Sequence, residues 1–121
     1  MTQTAPEGDH RIQLQSGPLL ISAGRPERLR MKQDEATRRV FVAIDEEQRV
    51  IFGVVYHTEE VFKGPILSDL PEIINLFSQK TGIKLVSAMN LDGGSASVFA
   101  DENIFLGELS NVGSFFCVVQ K

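Results

Sequence analysis

Apolar residues in this chain gather into short blocks parted by polar, Gly- or Pro-bearing stretches. Val40–Ile44 and Val50–Tyr56 are rich in Val, Ile and Phe, with Asp45-Glu46-Glu47-Gln48-Arg49 between them. That pattern predicts an antiparallel hairpin with a solvated turn. Apolar residues fill both parities of the first block (Val40, Phe41, Val42, Ala43), which predicts a strand covered on both faces. Ile12–Gln15 and Leu19–Ser22 are shorter strand-like runs around the turn residues Ser16-Gly17-Pro18. Lys84–Leu91 predicts a further strand, broken by Asp92-Gly93-Gly94. Ser97–Ala100 and Ile104–Leu106 flank Asp101-Glu102-Asn103 as a second hairpin, and Phe115–Val119 predicts a last, buried strand.

One segment follows helical spacing instead. Leu70, Ile73, Ile74 and Phe77 fall at i, i+3, i+4 and i+7, an apolar stripe for a core within Ser68–Thr81. Ser68 is placed to be the N-cap, Asp69 and Glu72 suit the positive end of the helix dipole, and Pro71 is tolerated in the first turn. Lys80 lies in the last turn and Gly82 suits the stop. The sum is an α+β fold: a mostly antiparallel sheet with one main helix packed on a face.

Composition narrows the class. At 121 residues and 42% hydrophobic, the chain suffices for one packed domain, expected over residues 12–121 behind a flexible tail at 1–11. Twelve basic against sixteen acidic residues argue against a nucleic-acid partner. No apolar run is long enough to span a membrane, and the polar first twenty residues carry no signal peptide. Residues 25–39 reverse the balance locally, with six basic residues against three acids, and read as a solvated loop or short exposed helix. The single cysteine, Cys117, allows no disulfide within the chain and reads as a buried thiol. His57 follows a strand and His10 sits in the tail; neither carries an argument for chemistry. No set of converging ligands suggests a metal, and no cofactor is assigned.

Chemistry concentrates at Ala88–Ser97, where an apolar strand delivers Asn90 and Asp92 to two glycines and then to Ser95 and Ser97. Glycines permit close backbone approach to a ligand, and exposed N–H groups in such a turn can bind anions. The same residues also suit a plain tight turn between strands, and residue types alone leave both readings open.

Asn90-Leu91-Asp92-Gly93-Gly94 followed by small hydroxyl residues resembles the signature of the phosphodiester glycosidase family. Gln15–Leu20, Arg39–Asp45 and the helical Ile66–Phe77 resemble three more of its elements, in the family's order. Ser95 stands where the family more often has a third glycine, and Ala96 where it has its first serine. No Asn-Gly-Gly-Phe-Phe-like element precedes Gly17, so the resemblance implies the C-terminal part of the family's domain, with Asn111–Phe116 as its closing strand.

The resemblance implies hydrolysis of a sugar-1-phosphodiester or related glycan to free sugar and a phosphomonoester. It makes Asp92 the candidate carboxylate and Arg39 the candidate phosphate clamp. Gly93 and Gly94 would offer backbone N–H groups. Asn90 and Ser97 would bond the sugar or orient Asp92, with Ser95 and Gly17 also at the substrate. It further implies an exported or envelope-facing protein. Two alternatives stand beside the enzyme: a binding module that holds a sugar phosphate without cleaving it, and a structural fragment whose sheet edges recruit a second copy.

Overall fold

The computed structural model describes Met1, Gly8, residues 15–113 and residues 115–119, with the backbone alone at Asp92. Most of the expected tail and most of the Ile12–Gln15 run lie outside the described residues. Among the described residues seven strands and one α-helix follow in order: β1 (Leu19–Ser22), β2 (Arg25–Pro26), β3 (Arg39–Asp45), β4 (Val50–Val55), α1 (Leu70–Thr81), β5 (Leu85–Gly93), β6 (Phe99–Ala100) and β7 (Phe105–Leu106). The first five strands form one sheet in the order β2-β1-β5-β3-β4, and every pairing in it is antiparallel. The α+β expectation, with one main helix, therefore holds. β6 and β7 make the expected small hairpin, closed by the Asp101 carboxylate, which accepts from the Asn103 and Ile104 N–H groups.

The core sits between the sheet and α1. Leu20, Ile21, Phe41, Ala43, Leu85 and Ala88 of the sheet meet Leu67, Leu70 and Ile74, all buried. Strand alternation puts Phe41 and Ala43 on this face. Across it, Val40 is buried while Val42 and Ile44 are only half-buried, so β3 is covered unequally on its two faces. Gly53 pairs with Phe41 and leaves room for its ring, which lies where a side chain would stand.

The helix departs from its expected cap. A 3₁₀ turn at Leu67–Asp69 leads into α1, and neither Ser68 nor Asp69 caps through its side chain. Asp34, thirty-odd residues upstream, does so instead: its carboxylate accepts from the Leu67 N–H at 2.6 Å and the Ser68 N–H at 2.8 Å. Part of the charged segment 25–39 is thus structural rather than solvated. The stripe is also narrower than its spacing suggests, because Phe77 is 42% exposed, one turn past the last sheet contact at Ile74. Gly82 ends the helix as expected, in the left-handed region.

Two further expectations are corrected. Asp45 is 1% exposed and not part of a solvated turn. It organises the β3–β4 turn by accepting from the Glu47 and Arg49 N–H groups and from the Arg49 guanidinium at 2.6 Å. Residues 115–119 form neither a strand nor a buried segment; Phe115, Val118 and Val119 are largely exposed, and so is Cys117. Phe116 alone packs on the sheet, its ring centroid 5.6 Å from that of Phe52.

Burial acts to raise the pKa of both Asp34 and Asp45, but the hydrogen bonds each accepts outweigh it, and both lie below the usual carboxylate range. The stability these groups supply is present above the unfolded value of about 3.9 and is lost as pH falls through the depressed native values. Melting curves across acidic pH should show this loss, and Asp45→Asn should flatten it. Asp34→Ala should cost about 1–2 kcal/mol in denaturant titration, the cost of an absent helix cap; an unchanged midpoint would refute the capping role.

Candidate functional site

The signature lies on β5, the central strand, where β1 flanks one edge and β3 the other. Asp92 and Gly93 prolong that strand; the break comes at Gly94, whose φ of +68° suits glycine, followed by a 3₁₀ turn over Gly94–Ala96. Against β3, Arg39 pairs with Gly93, Val40 with Asp92 and Phe41 with Asn90, so Leu91 is an extra residue on β5. Such a bulge re-aims the strand that follows it. The start of β3 and the glycine turn therefore share one end of the sheet.

The close fit there explains the glycines. A Cβ on Gly93 would overlap the Arg38 carbonyl oxygen, and that same carbonyl accepts from the Gly94 N–H at 2.8 Å. The glycine pair is thus required by backbone packing, whatever it does for a ligand.

Arg39 and its neighbour diverge. Arg39 turns toward the helix entry, where its guanidinium donates to the Glu35 carbonyl at 2.6 Å and the Pro65 carbonyl at 3.3 Å and lies 3.5 Å from the Asp34 carboxylate. Arg38 goes the other way and is wholly buried. Its Nε donates to Ser97 Oγ at 3.0 Å, and its Nη2 donates to the Ser97 and Gly107 carbonyls. Nη1 reaches the Val61 carbonyl at 3.4 Å, and the guanidinium carbon lies 4.9 Å from the centre of the Phe62 ring. Burial lowers its pKa, and the field of Glu108 acts the other way. Among the described side chains no carboxylate forms an ion pair with it. Sequence reading assigned Arg38 to a solvated run. The available signal was the Arg38-Arg39 pair at a strand start: alternation sends adjacent side chains to opposite faces, so one cation had to point away from Arg39.

The other expected residues distribute around this end. Ser97 is buried, accepting from Arg38 and donating to the Gly94 carbonyl at 2.9 Å. Ser95 is exposed, and its carbonyl accepts from the Leu109 and Ser110 N–H groups. Asn90 and Gly17 lie toward β1, where the Asn90 amide donates to the Gly17 carbonyl at 3.3 Å. Ser16 Oγ donates to the Asn90 and Leu91 carbonyls, fastening the loop before β1 along the signature. Asn90 Oδ1 is buried without a hydrogen-bond partner. The side chain of Asp92 lies outside the described residues. His57 sits in an exposed turn, its Nδ1 accepting from the Glu59 N–H. Among the described residues no group of three or more His, Cys, Asp and Glu could hold a metal ion, and no helix is long and apolar enough to cross a membrane.

A family model described as phosphodiester glycosidase matches residues 1–118. The chain belongs to that family. No curated protein and no solved structure matches it. In this phosphodiester glycosidase family member, the signature occupies the centre of the sheet and the arginine pair starts the strand beside it. Gly93→Ala should destabilise the fold by roughly 1–3 kcal/mol, since backbone must move to admit the methyl group; a variant as stable as wild type in denaturant would contradict the β3–β5 fit.

Proposed function

We propose that the chain hydrolyses the bond between the anomeric carbon and the phosphate oxygen of a sugar-1-phosphodiester. Water supplies the oxygen that bonds to the carbon. The phosphomonoester departs with the electron pair, and the proton of water is taken up by a carboxylate or by the leaving phosphate. The observation that carries this reading is the β3–β5 register: in a chain of this family, it sets the Asp92 and Gly93 positions opposite Val40 and Arg39.

In this reading Asp92 is the carboxylate that stabilises the positive charge developing at the anomeric carbon. Asn90, Ser95 and Gly17 border the sugar. Gly93 and Gly94, which carry no side chain, let the phosphate approach the backbone of the turn closely. Arg39 serves by holding the Glu35 and Pro65 segments against the start of β3, because its donors already bond there.

Incubating the purified chain with N-acetylglucosamine-1-phosphodiester and assaying free sugar tests this. Wild type should release sugar, and Asp92→Asn should be slower by roughly 10²–10⁴-fold while melting at the wild-type temperature. No release from folded wild-type protein would overturn the reaction, and equal rates would remove Asp92 from it.

A further inference from the structure

Arg38 is a cation without a neighbouring counter-charge among the described side chains. Its hydrogen-bonded partners are a hydroxyl and three carbonyls, all neutral. Neutral dipoles solvate a buried guanidinium but leave its net charge in place, and arginine does not shed its proton in a protein. Glu108, whose field acts on Arg38, is itself exposed and so screened by water. A buried charge is screened far less than a surface one, so its field reaches the nearby surface.

That surface is the glycine turn. Arg38 holds it at two points: its carbonyl accepts from the Gly94 N–H, and its guanidinium binds both polar groups of Ser97. Ser97 Oγ passes the polarisation on by donating to the Gly94 carbonyl. The exposed Arg25, Arg28, Arg30 and Lys32 lack such a tie, and Arg39 is directed to the opposite side, toward Asp34.

We propose that Arg38, not Arg39, is the residue that makes this turn select an anionic ligand: a positioning residue that fixes the turn and supplies buried positive charge beneath a bound phosphate. It touches no substrate, since it is wholly buried; it acts through the turn and through its field. The inference deepens the reading of the site as one for a sugar phosphodiester, but it concerns anion binding and not bond cleavage.

The test is titration of the full chain with inorganic phosphate, followed by NMR at the Arg38 Nε–H and Gly94 N–H signals. Both should shift along one binding curve in wild-type protein. Arg38→Lys, which keeps the charge, should bind phosphate more tightly than Arg38→Met, which should lose at least roughly tenfold in affinity. Phosphate leaving both wild-type signals unmoved would overturn the proposal, as would Arg38→Met binding it as wild type does. If Arg38→Met does not fold, the wild-type titration decides alone. The sugar-release assay separates the two claims: phosphate binding that depends on Arg38 without any turnover would uphold this inference and end the hydrolase reading.

Discussion

The pairing of β3 with β5 is the constraint on which the rest of this structure depends. β5 is the central strand, and its partner on one side begins at Arg39, directly after Arg38. The extra residue at Leu91 and the contact between Gly93 and the Arg38 carbonyl set how the strand ends. A side chain at position 93 would push β3 away and release the Gly94 N–H from Arg38. Alternation along β3 then does the rest, sending one guanidinium to the helix entry and the other under the turn.

Buried charge is handled in three ways in one small fold. Asp45 has a cation beside it and two N–H donors, and it organises a hairpin turn. Asp34 accepts two helix-entry N–H groups and faces Arg39, tying a long irregular segment to α1. Arg38 has neutral partners and a ring face. A desolvated cation costs stability unless its donors are bonded, and here carbonyls from three separate segments converge on it. The first two cases explain themselves as architecture. The third retains its charge next to the family signature, which is why it invites a functional account.

The strands and helix were legible in the sequence because their signals are local. Val40–Ile44 and Val50–Tyr56 carry β-branched blocks about a polar turn, and Leu70, Ile73 and Ile74 repeat at helical spacing. The misread features all depend on partners far along the chain. Nothing near Ser68 indicates that Asp34 caps the helix, and nothing near Arg38 indicates that carbonyls at 61, 97 and 107 would surround it. Phe115–Val119 has strand composition but pairs with no strand among the described residues; it meets the sheet through the Phe116 ring on Phe52, and composition alone does not decide whether a segment joins an edge. The signature was recognisable as a motif, whereas the division of labour between Arg38 and Arg39 beside it required the register.

Scalar coupling through the hydrogen bond from the Gly94 nitrogen to the Arg38 carbonyl carbon tests the account most directly. NMR of the labelled chain should detect that coupling, together with cross-strand contacts pairing Phe41 with Asn90 and Val40 with Asp92. No coupling, with contacts that pair Val40 with Leu91 instead, would remove the bulge and put the arginines on the wrong faces. The account of the site would then fail at its foundation.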